Sequence, residues 1–237
     1  MIRERFSYRQ TIATILADKP EHIEAAKAGM LRARQVLEAY IARDPFFSTT
    51  FDPYTPDSDE LIITRMADAA RIAGVGPMAA VAGAIAWAGV EAMQEAGAVF
   101  GIIDNGGDIA LVSNRDVRVG VHAGEAALSN RIAFVVPPQD CVLGICTSSA
   151  TVGPSISFGV ADAVTVFSRN VALADAWATS VCNQIQPDDC SVLDRINPDE
   201  VQGIFGIMGV QHVRWEMLPP IVRADVDERL ISAGEEL

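Results

Sequence analysis

The segment Asn105-Gly106-Gly107-Asp108 combines two glycines with a carboxylate. Glycine adopts positive φ angles at low steric cost, and turns of this kind leave backbone N–H groups open to an anion. Asp108 opens the next predicted strand and has the chemistry to hold a ribose hydroxyl or a metal ion. The alternative is a plain type I′ hairpin in which Asn105 and Gly106 serve only the turn.

A second candidate segment spans residues 146–158 and carries many hydroxyl groups but no charge. Hydroxyl groups and open amides suit a phosphate or a polar heterocycle. The alternative is a turn whose serine and threonine side chains bond to their own backbone. The hydroxyl residues that we take as ligand-binding candidates are Thr147, Ser148, Ser149 and Ser155.

Asp175 and Thr179 are four residues apart in a predicted helix and therefore share one of its faces. A carboxylate and a hydroxyl are hard oxygen ligands, and Mg²⁺ usually takes few protein ligands together with substrate phosphates. The alternative is an exposed aspartate beside a threonine that bonds back to its own helix. The spacing alone leaves magnesium binding open.

The other nucleophiles and bases form no recognised catalytic pattern. The three histidines lie in unrelated contexts, and the chain has no G-x-S-x-G elbow and no C-x-x-C pair. Asp108 and Asp162 are the candidate general bases. Cys146 adjoins the hydroxyl segment and Cys182 follows Asp175 on the same predicted helix, and a buried inert thiol is the ordinary interpretation of each.

The elements that must position these residues divide into helices followed by strands. Two short strands or one hairpin are predicted over residues 5–18, and apolar residues at helical spacing then predict three helices. The third of these helices is apolar on nearly all sides, which is typical of a central, covered helix. The predicted helices cover residues 21–43, 58–74 and 77–96.

From residue 98 onward the pattern is mostly that of strands. Two further helices are predicted, over 171–184 with Asn170 as cap and, as a short one, over 199–208. Helices first and mostly antiparallel strands afterwards indicate an α+β fold, with sheets packed against helices. We expect one domain over residues 1–237, whose last part, 218–237, is an acidic tail that is helical at most.

Composition and charge exclude several classes of protein. The 237 residues are 50% hydrophobic with a net charge of −13, which excludes a disordered chain and argues against nucleic acid or an anionic membrane as partner. The uncharged run 72–90 is long enough to span a bilayer, but its glycines and alanines favour a buried helix. If the chain forms a homo-oligomer, a second subunit is expected to cover part of the helix 77–90 and of the loop 46–56. The four cysteines are interpreted as reduced thiols of a cytoplasmic protein.

Five segments in the same order resemble the uncharacterised branch of the ApbE-like superfamily, whose characterised members are Mg²⁺-dependent flavin transferases that move FMN from FAD to a protein threonine. The segments are GVGPMAAVAGAIA (74–86), NGGDI (105–109), TSSATVGPSISFG (147–159), ADAVTV (161–166) and ADAWATS (174–180).

The resemblance implies an ApbE-like α+β fold and a ligand pocket. Gly106-Gly107-Asp108 is similar to the Gly-Gly-Asp loop of the transferases, and Thr147-Ser148-Ser149 to their Thr-Ser-Gly loop. Their metal-binding helix is similar to Asp175–Thr179, which implies Asp175 and Thr179 as Mg²⁺ ligands. The expected partner is a small phosphorylated ligand, with a flavin nucleotide as one possibility.

The chain also departs from the transferases. Where they carry a His-Ile-x-Asp-Pro segment, this chain reads Pro154-Ser155-Ile156-Ser157-Phe158, with neither histidine nor aspartate. This difference argues against flavin transfer and leaves the pocket. Two alternatives stay open. The first is a cysteine-dependent protein that uses Cys146 in sulfide assimilation, a process to which some proteins of this branch have been linked. The second is a non-catalytic, self-associating accessory protein.

Overall fold

The computed structural model describes residues 1–151 and 159–226. Five α-helices and eleven strands occur within these residues. The helices are α1 (Pro20–Arg43), α2 (Phe46–Thr49), α3 (Leu61–Ala73), α4 (Val81–Glu95, after a 3₁₀ turn at Pro77–Ala80) and α5 (Val171–Gln184). The strands are β1 (Ile2–Tyr8), β2 (Thr11–Ala17), β3 (Phe100–Asn105), β4 (Asp108–Ser113), β5 (Val117–Gly120), β6 (Ile132–Val136), β7 (Gln139–Ser148), β8 (Ala163–Ser168), β9 (Gly203–Met208), β10 (Gln211–Glu216) and β11 (Ile221–Arg223).

Three layers make up the described structure. The central sheet has eight strands in the order β1-β2-β3-β4-β7-β8-β9-β10, and every neighbouring pair is antiparallel. The helices cover one face of this sheet, and a three-stranded sheet, β11-β6-β5, packs on the other. The predicted α+β fold with mostly antiparallel sheets is therefore confirmed.

The alternation of side chains along the strands separates two apolar cores. Along β7, Cys146 belongs to the core under the helices, whereas Leu143 and Ile145 belong to the core under the small sheet. Because successive residues of a strand point to opposite faces, this register decides which candidate residues face which layer. The face that carries Cys146 is called the helical face below.

Helix α4 lies in the middle of the helical layer. It contacts α1, α5, β3 and β4, and all these neighbours belong to the same chain. Its apolar residues are thus largely covered without a second subunit. Among the described residues, no single helix is long and apolar enough to cross a membrane; Leu61–Ala73 and Pro77–Glu95 meet the length and composition limits only as a pair, and they are bent by 106°.

Two expectations about secondary structure are wrong. Residues 203–208, predicted as part of a short helix, form β9, whose six residues are all buried. A strand covered on both faces loses the alternation of polar and apolar residues that identifies strands. The tail was expected to be helical at most, but Ile221–Arg223 forms β11 and pairs with β6; residues 227–237 lie outside the described part.

Candidate active site

Two carboxyl groups meet on the helical face of the central sheet. Asp108 is the first residue of β4, and Asp175 lies in the second turn of α5, where only 7% of its surface is exposed. The two carboxyl groups lie within hydrogen-bonding reach of each other. Sheet and helix thus bring together two acids that lie far apart in the chain.

Asp175 also caps the N-terminus of α4. The N-cap residue of this helix, Ala80, has no side chain that can accept a hydrogen bond, although the first turn of a helix leaves its N–H groups without partners. The N–H of Gly83 donates to Asp175 Oδ2 at 2.8 Å, and a backbone bond from Ala82 also reaches this carboxylate. The aspartate of one buried helix therefore completes the start of another.

Glycine at position 83 makes this close approach possible. A Cβ atom there would lie 2.9 Å from Asp175 Cβ and 2.9 Å from the carbonyl oxygen of Val171. Both distances are shorter than a normal van der Waals contact, so any side chain would push α4 away from α5.

We expect Gly83→Ala to lower the free energy of unfolding by about 1–3 kcal/mol, the usual cost of overpacking a core. Without a clash, alanine in place of a helical glycine would stabilise the protein by about 1 kcal/mol. Urea denaturation therefore distinguishes the two cases, because a clash lowers the free energy of unfolding and its absence raises it. A variant more stable than the wild type would contradict the close packing of α4 on α5.

In the absence of a cation, the surroundings of Asp108 and Asp175 disfavour the ionised form of both carboxyl groups. Burial raises the pKa of Asp175 to about 7, although the bonds from Gly83 and Ala82 lower it. The pKa of Asp108 is raised well above its usual value, first by burial and then by the charges of Asp175 and Asp104. Within residues 1–151 and 159–226, no lysine, arginine or histidine forms an ion pair with either carboxylate.

The glycine turn adjoins this pair. Asn105 and Asp108 face each other across a two-residue hairpin whose Gly106 and Gly107 have φ angles of 74° and 101°. Asn105 Nδ2 donates to the carbonyl oxygen of Ala82 at 3.0 Å, which ties the turn to the start of α4. The Gly107 N–H, expected to be open to an anion, donates instead to Asp104 Oδ1 at 2.9 Å.

The hydroxyl segment divides between the two faces of the sheet. Thr147 faces the small sheet and its Oγ lies 2.9 Å from Oγ of Thr165, so its hydroxyl points away from Asp108. Ser148 follows on the helical face and is partly buried. Ser149 Oγ accepts a hydrogen bond from the Thr151 N–H at 3.0 Å, as a local serine turn does. Ser155 lies outside the described residues.

Thr179 lies on the same helix as Asp175, whereas Asp162 lies at the end of the central sheet. Thr179 is partly buried one helical turn after Asp175, as its spacing predicts. Asp162 accepts a hydrogen bond from the Gly209 N–H at 2.6 Å and another from Thr151 Oγ at 3.3 Å, which links the ends of β8 and β9. The structure thus brings together Asn105, Asp108 and Asp175.

Cys146, which the sequence placed beside the hydroxyl segment, lies opposite Asp108, a neighbour that the sequence did not reveal. It pairs with Asp108 across the β4–β7 ladder, has no exposed surface, and its Sγ lies 3.6 Å from the carbonyl oxygen of Val171. Burial, followed by the charges of Asp108 and Asp175, raises the pKa of this thiol well above its usual value. The sequence around Cys146 is an apolar strand followed by a polar segment, and this pattern does not predict a neighbour across the sheet. The pairing of Cys146 with Asp108 depends on the register of β4 and β7.

The donor set is compatible with Mg²⁺. Among the described residues, no three histidine, cysteine, aspartate or glutamate side chains form a metal-binding group. Mg²⁺ needs no such group, because it usually binds one or two carboxylates and completes its shell with water and phosphate oxygens. Asp108 and Asp175 supply hard oxygen donors, and these two carboxylates have no cationic partner in the described structure.

Comparison with solved structures shows that the chain has a known fold. The chain is similar to the flavinyl transferase ApbE of Pseudomonas stutzeri in its apo form, with a TM-score of 0.55 and 10% identity over 99% of this chain and 98% of the other. It is also similar to the flavin transferase ApbE of Vibrio cholerae, with a TM-score of 0.51 and 12% identity over 90% and 96% of the two chains. At these identities the likeness shows the fold, which is the predicted one.

Comparison with other sequences shows the family. A UPF0280 protein of Methanoregula boonei is 66% identical over the full length of both chains, and one of Methanosarcina acetivorans is 45% identical over 98% of this chain and 93% of the other. Residues 3–203 match the family described as AbpE bacteria. The chain therefore belongs to this family, and its fold is that of the ApbE flavin transferases.

Proposed function

We propose that the chain binds a flavin or another nucleotide-like phosphorylated ligand together with Mg²⁺ at the Asp108–Asp175 pair. The observation that carries this proposal is the pair itself: the carboxyl groups of buried Asp175 and partly buried Asp108 lie close together beside the start of α4, without an ion-pair partner among the described residues. A buried charge is costly unless it is paired or coordinates a metal. A divalent cation removes this cost.

Each part of the site has a role in this proposal. Asp108, Asp175 and Thr179 would hold the cation, and a bound Mg²⁺ would supply positive charge beside the phosphate oxygens of the ligand. Asn105 fixes the glycine turn against α4, so that the turn presents a defined surface beside the carboxylates. Ser148, Ser149 and Ser155 are the proposed polar contacts for the rest of the ligand, and Thr147 supports the turn through its N–H bond to the Gly107 carbonyl oxygen.

The resemblance to flavin transferases supports flavin nucleotides as the first ligands to try. We do not propose flavin transfer, because the residues at 154–158 differ from the transferase segment. Nor do we propose a sulfur carrier at Cys146. A thiolate nucleophile needs a lowered pKa and access to solvent, whereas Cys146 is fully buried and its pKa is raised.

We expect isothermal titration calorimetry to detect binding of FAD, FMN or ATP in the presence of Mg²⁺. Binding should be at least tenfold weaker in EDTA, because without a cation the phosphate groups would face two uncompensated carboxylates. Asp175→Asn should abolish the Mg²⁺ dependence, whereas Asp188→Asn, at an exposed position, serves as the matched control. If the wild-type protein binds none of the three ligands with or without Mg²⁺, the proposal is wrong.

A further inference from the structure

One peptide group at the start of α4 joins the end of β3 to α5. The carbonyl oxygen of Ala82 and the N–H of Gly83 belong to this group, which is planar and rigid. Asn105 Nδ2 donates to the carbonyl oxygen at 3.0 Å, and the Gly83 N–H donates to Asp175 Oδ2 at 2.8 Å. Asn105 and Asp175 therefore hold the two ends of one rigid unit.

We propose that Asn105 is a positioning residue, which acts through the peptide group between Ala82 and Gly83 and keeps its N–H directed at the Asp175 carboxylate. In a trans peptide the C=O and N–H bonds point in opposite directions, so a side chain that holds the oxygen also directs the N–H. A hydrogen bond to the oxygen also polarises the group and strengthens the bond that its N–H donates. That this arrangement serves ligand binding rests on the proposed function.

The surroundings of Asn105 explain why an amide stands at this position. Asn105 is buried and pairs with Asp108 across the hairpin, so the two side chains lie on the same face of the sheet. An aspartate here would set one acceptor against the Ala82 oxygen and add a further negative charge beside Asp108. A leucine would have a similar size but no donor. Asparagine supplies the donor without a charge.

Amide hydrogen exchange, followed by NMR in EDTA, tests the positioning role without any ligand. We expect Asn105→Leu to speed exchange of the Gly83 amide by about tenfold, the effect of losing one hydrogen bond of ordinary strength. The Leu173 amide, which is bonded to Asn170 Oδ1 at the start of α5, is the internal control and should exchange at its wild-type rate. If Asn105→Leu does not fold, the smaller variant Asn105→Ala gives the same comparison. A Gly83 amide that keeps its wild-type rate, or that is accelerated no more than the Leu173 amide, would overturn the proposal.

Calorimetry with Mg²⁺ tests the role in binding. We expect Asn105→Leu to weaken Mg²⁺ binding about tenfold, a typical effect of losing an outer partner of a metal ligand. Asn114→Leu, at an exposed asparagine, is the matched control and should bind like the wild type. A folded Asn105→Leu variant with wild-type affinity would refute this role. If the wild-type protein binds no Mg²⁺, the proposed function fails, and hydrogen exchange still decides whether Asn105 directs the Gly83 N–H.

Discussion

Asp175→Asn is expected to make the protein more stable in EDTA at about pH 8, by about 2–4 kcal/mol. At this pH the wild-type protein must hold an ionised Asp175 in a buried position, although burial has raised the pKa of this group to about 7. Each unit of pKa shift corresponds to about 1.4 kcal/mol. A neutral amide removes this cost and keeps an oxygen for the Gly83 N–H.

Three further variants make this expectation sharp. Asp175→Ala removes the charge as well as the acceptor for the Gly83 N–H, so it should be less stable than Asp175→Asn by about 1–3 kcal/mol, the cost of an unsatisfied buried donor. Asp188→Asn, at an exposed position, should leave stability unchanged. Asp108→Asn should also be stabilising at this pH, because burial and the charges of Asp175 and Asp104 raise the pKa of Asp108 well above its usual value.

Urea denaturation of these variants, with and without Mg²⁺, separates the two roles of Asp175. The asparagine variant should lose the stabilisation that Mg²⁺ gives to the wild-type protein, because an amide oxygen is a much poorer ligand for this cation than a carboxylate. An Asp175→Asn variant that is less stable than the wild type in EDTA at pH 8 would show that the carboxylate is stabilised by its surroundings, contrary to the pair described here.

Local sequence signals were sufficient for much of the fold. Asn170 caps α5 as predicted, since its Oδ1 accepts a hydrogen bond from the Leu173 N–H at 3.0 Å. Gly74 ends α3 with a φ of 71°, and Asn105-Gly106-Gly107-Asp108 forms the expected tight turn. In each of these cases the residues that determine the structure lie within a few positions of one another, so the pattern is visible in the sequence.

The contacts within the candidate site could not be predicted from local sequence signals. The bond between Gly83 and Asp175 joins residues 92 positions apart, and a helix capped from another helix carries no local capping motif. The sequence placed Thr147 and Ser148 in one segment, but the register of β7 sends their side chains to opposite faces. The sequence therefore predicted which residues have the right chemistry, whereas only the sheet register and helix packing decide which of them meet. That they bind a ligand stays a prediction.

The second large effect is on the pH dependence of stability. In the unfolded chain an aspartate loses its proton near its ordinary pKa of 3.8, whereas folded Asp175 keeps its proton up to a pH of about 7. Between these values the folded state binds more protons than the unfolded state, so the free energy of unfolding falls as the pH rises. Asp108, whose pKa is raised as well, acts in the same direction.

We expect this fall to be largest for the wild-type protein in EDTA and nearly absent in the double variant Asp108→Asn/Asp175→Asn. Subtracting the urea midpoints of the two proteins at about pH 4.5, 6 and 7.5 isolates the pair, because all other titrating groups are common to both. Saturating Mg²⁺ should cancel most of the fall, since a cation favours the ionised carboxylates and binds more tightly as the pH rises. Parallel curves for the wild type and the double variant would mean that the pair does not titrate as described, and a fall that Mg²⁺ leaves unchanged would mean that this cation is not its ligand.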